Sequence, residues 1–229
     1  MISRPAQRST PHATPKPFTD MDGGGTPAFA AATGARGGLI GPNAVLQLLA
    51  PMRATLGEAE ATRLLALCGL DPLPDGSGMI PEGPVAALHQ SLRRAHPATA
   101  EALARTSGAA TANYIMANRI PALARVVLRA LPRPLAVRLL ARAIARNAWT
   151  FTGSGRFRIV ALDPPVFEIA DNPVVRGEHA AGPVCHWHAA VFTRLFQSLA
   201  DRRLVFTETA CCATGAGACR FAGSFQLRA

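Results

Sequence analysis

Four cysteines and one glutamate near the end of the chain have the types and spacing of a metal site. Cys185 stands at the predicted start of a helix. Cys211, Cys212 and Cys219 surround a glycine-rich turn, and Glu208 precedes Cys211 by three residues. Thiolates and a carboxylate drawn together from a helix start and a β-hairpin can hold Zn²⁺ in a tetrahedron. A helix N-terminus favours the thiolate of Cys185. Gly215 supplies the backbone freedom that lets Cys211 and Cys219 converge. On a regular strand, however, residues three apart face opposite sides. Glu208 and Cys211 can share a metal only if the strand bends or ends between them. Cys212, four residues from Glu208, shares its face and is the competing ligand. The plainer alternative is a set of reduced, buried cysteines with no metal.

Other side chains are candidates on weaker grounds. His186, Trp187 and His188 follow Cys185 directly and offer a metal ligand or a proton donor. The two histidines project on different sides of a helix, so at most one shares a site with Cys185. Arg138, Arg142 and Arg146 recur at four-residue spacing as one basic stripe. That stripe suits a carboxylate or an acidic lipid, or is simply a solvated face. Tyr114, Trp149, Phe151, Phe157 and Phe167 fall near the predicted junction of helices and sheet. A flat apolar ligand can lie among such rings, and core packing is the ordinary use of them.

The elements that position these residues are readable from the patterning. Residues 1–38 are rich in Pro, Thr, Ala and Gly and lack the apolar content to order themselves, which predicts a disordered tail. Residues 39–154 read as a helical region. Helices are expected over 44–56, 58–68, 84–96, 97–118, 121–131 and 134–149, several opening on a proline in the first turn. Residues 72–81 read as loop. After Gly153-Ser154-Gly155 the period changes to two. Strands are expected over 156–162, 166–170, 203–209 and 218–227, with an amphipathic helix over 183–199. The order strand, strand, helix, strand, strand predicts an antiparallel sheet with helices packed on it. The fold class is α+β, with a C-terminal domain over 155–229.

Composition bounds the rest. At 229 residues and 49% hydrophobic content the chain can build a sizeable core. The net charge of +10 is carried by arginine, since Lys16 is the only lysine. A basic surface favours anionic partners. Five cysteines do not make an even disulfide framework, and the first 29 residues show no secretory apolar core. A cytoplasmic protein with reduced thiols is expected. The most apolar region, 126–144, is interrupted by four arginines, so no membrane-spanning segment is expected. No G-x-G-x-x-G follows a predicted strand, and no C-x-x-C or ferredoxin spacing occurs. No helix-turn-helix or P-loop points to a regulator, and no nucleic-acid partner is expected.

The string from Glu208 through Cys211, Gly215 and Cys219 to Phe221, with Cys185 upstream, resembles the 4-vinyl reductase (V4R) domain family. That family's pattern is a cysteine at a helix start followed by E-x-x-C-x3-G-x3-C-x-F on a terminal hairpin. The resemblance covers residues 155–227. The helical N-terminal half and the length further resemble the members of that family that act in bacteriochlorophyll synthesis. The resemblance implies helices packed on an antiparallel sheet, and a homodimer. It implies a structural Zn²⁺ on Cys185, Glu208, Cys211 and Cys219, and favours Cys211 over Cys212. It implies a pocket for a small molecule, here a divinyl chlorophyllide or protochlorophyllide, with Trp149, Phe151, Phe157 and Phe167 as the residues placed to line it. A histidine beside Cys185 would then be a candidate axial ligand to a Mg-tetrapyrrole, and the arginine stripe a candidate for its propionate. Reducing a vinyl group needs a hydride or electron source, which a cofactor carries. The expected role is therefore substrate binding and hand-over to pigment-pathway enzymes during reduction of the 8-vinyl group. The alternatives are that the chain is the 8-vinyl reductase itself, or a V4R sensor or scaffold. Peripheral contact with the photosynthetic membrane stays open.

Overall fold

The computed structural model describes residues 37–226. The expected tail over 1–38 lies outside them except for Gly37 and Gly38, and so does Leu227. The described residues form an α+β fold in which eight α-helices and a four-stranded antiparallel sheet share one core. The strands are β3 (Arg156–Leu162), β4 (Pro165–Ala170), β5 (Leu204–Ala210) and β6 (Ala218–Phe225), in spatial order β3-β4-β6-β5. A short pair, β1 (Leu39–Ile40) with β2 (Ile80–Pro81), closes the end of the expected loop. The helical part holds α1 (Asn43–Leu56), α2 (Glu58–Leu67), α3 (Glu82–Ala95), α4 (Pro97–Asn118), α5 (Ala122–Ala130) and α6 (Arg133–Arg146). The one-turn α7 (Trp149–Thr152) ends it, where the sequence suggested a longer α6. No described helix is long and apolar enough to cross a membrane.

The sheet alternates as a one-sided sheet should. Phe167 and Ile169 of β4, Leu204, Phe206 and Glu208 of β5, and Cys219 and Phe221 of β6 are buried. Their neighbours along each strand lie on the other face. The helix α8 (His186–Leu199) covers the buried face, and α4 lies across α8. Held between two layers, α8 is buried on most of its circumference: Trp187, His188, Val191, Phe192, Leu195, Phe196 and Leu199 are all inside.

The close crossing of α4 on α8 explains why α4 is built from small residues. Ala100, Ala104, Ser107, Gly108, Thr111 and Ala112 are buried along it. A Cβ at Gly108 would stand 2.4 Å from the Trp187 carbonyl oxygen and 2.8 Å from the Ala190 Cβ. The nearest obstacle is backbone, which cannot rotate away. Gly108→Ala should therefore destabilise the fold by about 1–3 kcal/mol, although alanine is the better helix former. Urea denaturation checks this. A stabilised variant would show that the two helices separate freely.

Candidate metal centre

Four elements converge on one buried point under the sheet. Cys185 is the N-cap of α8, Glu208 is on β5, Cys219 is on β6, and Cys211 follows the end of β5. All four are buried, and one potential ligand atom from each lies within 4.8 Å of the others. The sulfurs of Cys185 and Cys211 are 3.9 Å apart, those of Cys185 and Cys219 3.5 Å, and those of Cys211 and Cys219 3.8 Å. Disulfides need about 2.05 Å. A tetrahedron with Zn–S bonds of about 2.3 Å has edges of about 3.8 Å. The sulfurs are spaced for a shared cation.

A bulge brings Glu208 and Cys211 to the same side. Glu208 pairs with Phe221 and Ala210 pairs with Arg220, so two steps on β5 oppose one step on β6. Thr209 is the extra residue. It converts the odd separation of Glu208 and Cys211 into an even one, as β-bulges do. The chain then turns tightly around the Cys211 carbonyl. That oxygen accepts from the Thr214 amide, the Thr214 hydroxyl and the Ala216 amide, and Gly215 adopts a left-handed φ of 87°. Cys212 is carried outside the set: it is half-buried, and its amide donates to the Cys219 sulfur at 3.4 Å.

The electrostatics of the donor set suit a cation. The Cys185 amide donates to Glu208 Oε2 at 2.6 Å, while Glu208 Oε1 is buried with no hydrogen-bond partner. Burial, then the Cys211 thiolate, push the Glu208 carboxyl up to about 8. Thiol donors Cys185 and Cys219 pull Cys211 far down. Cys185 is pushed well up, by its Cys211 and Cys219 neighbours and by burial. Cys219 is pushed up as well: its bond with Cys185 acts the other way, but Cys211 and burial outweigh it. Buried side by side, the donors oppose one another's ionisation. A bound dication removes that penalty.

One residue of the site escaped the sequence reading. The buried Asn172 amide nitrogen donates to the Cys185 sulfur at 3.4 Å and the Cys219 sulfur at 3.5 Å. Its side-chain oxygen accepts from the Val174 amide at the start of a 3₁₀ turn, Pro173–Val175. Such outer donors orient thiolate ligands. The Asn-Pro dipeptide, a turn-initiating signal, was the available clue.

The other candidates separate. Phe151, Phe157 and Phe167 come together, with the Phe151–Phe157 and Phe157–Phe167 ring centres 5.6 and 5.4 Å apart. Phe192 of α8 joins all three rings, so the junction is filled by packed side chains. Trp149 is 57% exposed and pairs with none of these rings. His188 is buried, with its Nε2 3.4 Å from the Phe151 carbonyl, and burial pushes its pKa down to about 4. His186 is half-buried near Glu101 and Arg105. Neither histidine belongs to the four-donor set.

The comparisons agree with this architecture. The V4R domain family model matches residues 165–225. The "Bacteriochlorophyll synthase 23 kDa chain" of Cereibacter sphaeroides is 54% identical over 182 residues, 80% of this chain and 88% of that one. The protein of the same name from Rhodobacter capsulatus is 47% identical over 80% of this chain and 85% of that one. Two solved H-NOX proteins share the fold. One, from S. oneidensis in the Fe(II)NO ligation state, has a TM-score of 0.54 at 10% identity, covering 82% of this chain and all of that one. The other, from K. algicida in the Fe(II) unliganded state, has a TM-score of 0.54 at 9% identity, covering 82% and 98%. With identity of this order over most of both chains, and a V4R domain carrying the cysteine–glutamate set, the chain belongs to the family of the bacteriochlorophyll synthase 23 kDa chains.

Proposed function

We propose that the chain takes part in bacteriochlorophyll biosynthesis by binding a divinyl chlorophyllide or protochlorophyllide and handing it to the enzymes that reduce its 8-vinyl group. The observation that carries this reading is the 54% identity to a chain named as part of bacteriochlorophyll synthase. We propose also that Cys185, Glu208, Cys211 and Cys219 hold one Zn²⁺. Four protein donors complete a tetrahedron and leave no position for substrate. The ion's contribution is then structural: it ties the start of α8 to the β5–β6 hairpin.

With the ring cluster packed, the surface best suited to a flat, carboxylated macrocycle is an open groove of about 590 Å³. Arg156, Phe157, Arg158, Glu168, Ala170 and Ala218 line it. Ala170 and Ala218, paired across β4 and β6 on the outer face of the sheet, give a small apolar floor. Arg156 is paired with the exposed Asp171 at 2.8 Å, and an exposed pair of this kind is worth little. A propionate can therefore take Arg156 at small cost. Arg158 and Arg220 both contact Glu168, which leaves one positive charge over at that position.

The test is titration of purified protein with divinyl protochlorophyllide under anaerobic conditions. A shift of the pigment's long-wavelength band is expected. The double replacement Arg156→Ala and Arg158→Ala should weaken binding by about tenfold without changing the melting temperature. Adding NADPH should leave the pigment's mass unchanged. A gain of two hydrogens by this protein alone, at about 1 per second or faster, would make it the reductase. No binding at all would leave a V4R sensor or scaffold.

A further inference from the structure

The α5–α6 hairpin carries an unusual orientation of its apolar residues. On α5, Leu123, Val126, Val127 and Ala130 follow the spacing of one helix face, and all four are exposed. Leu123 is 75% exposed, and no residue of α5 is buried. A surface helix ordinarily turns such a stripe inward. Here the helix is held the other way. Arg129 Nε donates to the Ser198 carbonyl of α8 at 3.0 Å, and Ala124, Arg125 and Leu128 are the half-buried side. The linker Leu131-Pro132 leads into α6, whose outer face alternates Leu135 and Leu139 with Arg138, Arg142 and Arg146.

The charge of this region is one-sided. Residues 119–146 contain seven arginines, and no aspartate or glutamate occurs anywhere in 102–162. Of the seven, only Arg133 faces a carboxylate among the described residues, Asp201 at 4.0 Å. Arg133 also lies over the Phe225 ring. Aliphatic side chains facing outward, with arginines on the next helix that meet no carboxylate among the described residues, match the makeup of helices that lie in a bilayer interface. A protein docking site would more commonly centre on aromatic anchors, and this face has none.

We infer that the outer face of the α5–α6 hairpin, centred on Leu123, Val126 and Val127 with Arg138, Arg142 and Arg146 beside them, docks on an anionic lipid bilayer. The apolar stripe enters the headgroup boundary, and the arginines meet lipid phosphates. This mode of contact involves neither the Cys/Glu cluster nor the groove beside Arg156.

Vesicle flotation of the full chain tests the inference. The protein should float with vesicles of phosphatidylcholine containing phosphatidylglycerol, and not with phosphatidylcholine alone. Raising the salt should release it, because the attraction falls off within a Debye length. The triple replacement of Arg138, Arg142 and Arg146 by alanine should weaken binding by about a hundredfold, near fivefold per arginine. Replacing Leu123, Val126 and Val127 by serine should abolish flotation while leaving circular dichroism unchanged. In a Trp149→Phe background, Leu123→Trp should show a blue-shifted emission on adding anionic vesicles. Failure of the unaltered chain to bind anionic vesicles would overturn the inference. So would binding that survives both sets of replacements. Light scattering identifies the rival occupant: a dimer that the serine replacements split, with vesicle binding unchanged, would assign the face to a second copy instead.

Discussion

Cys219→Ser is expected to unfold the C-terminal sheet, and Cys212→Ser is not. The two residues lie on the same hairpin, yet only Cys219 is in the buried four-donor set. A structural Zn²⁺ site is worth about 10–16 kcal/mol in apparent binding free energy. A whole domain is stable by only about 5–15 kcal/mol. Removing one thiolate should therefore take away most of the cooperative transition, and so should stripping the metal with a strong chelator. Cys212→Ser changes a half-buried side chain and should cost about 1 kcal/mol or less. The same holds for Cys68→Ser, whose sulfur sits 3.8 Å from the Ser91 hydroxyl, far from the set in sequence and outside it in space. Elemental analysis should return about one zinc per chain for the unaltered protein and none for Cys219→Ser. A natively folded, metal-free protein would refute the metal. Equal losses from Cys212→Ser and Cys219→Ser would refute the assignment of ligands.

What the sequence could convey about this site depended on how local each signal was. The strand at Arg156–Leu162 and the helix behind Cys185 follow from periodicity and composition, which act over a few residues. The choice between Cys211 and Cys212 did not, because regular strand geometry favours Cys212. It took the bulge at Thr209 to reverse the parity, and a bulge is set by the partner strand. Asn172 was hidden for a related reason: it reaches the sulfurs from a loop between β4 and α8. The amphipathic pattern of 183–199 predicts one buried face, whereas α8 is buried on most of its circumference because its second covering layer, α4, is remote in sequence. Phe192 and Phe196 therefore fill the junction at which the rings of Phe151, Phe157 and Phe167 suggested room for a ligand. The outward stripe of α5 is the converse: its period is plain in the sequence, but only the fold shows that it faces solvent.

Glu82 is the other residue whose loss should be costly, and its effect should carry a pH signature. It begins α3 with its carboxylate buried, and it joins four segments. Its amide donates to the Gly38 carbonyl. Its carboxylate accepts from the Ser154 amide at 2.8 Å, the Ser154 hydroxyl at 2.6 Å and Arg176 Nη1 at 2.8 Å. A Cβ at Gly38 or Gly153 would fall 2.5 or 2.2 Å from Glu82 Oε2, so two glycines make room for it. Arg176 also donates to the Asp171 carbonyl, next to Asn172. The clasp thus fixes the loop that delivers Asn172 to the sulfurs. Burial pushes the Glu82 carboxyl up, but the Ser154 bonds and Arg176 outweigh it and hold the pKa below the ordinary 4.5. A carboxyl with a lowered folded-state pKa binds fewer protons in the folded chain than in the unfolded one. Its contribution is complete above about 4.5 and is lost as the pH falls through the folded value. Because Arg176 is half exposed and can return to water, Glu82→Gln should cost about 2–3 kcal/mol at pH 7, near the worth of charge-assisted hydrogen bonds. In urea titrations the gap between the unaltered protein and Glu82→Gln should stay constant from pH 7 to about 5 and narrow below about 4.5. Taking the difference at each pH cancels acid effects on the Cys/Glu cluster, which both proteins share. A gap under about 0.5 kcal/mol at pH 7, the size of an ordinary surface change, would show that the clasp is ornamental to the fold. A full gap that persists unchanged into acid would show that shape rather than charge holds these segments together.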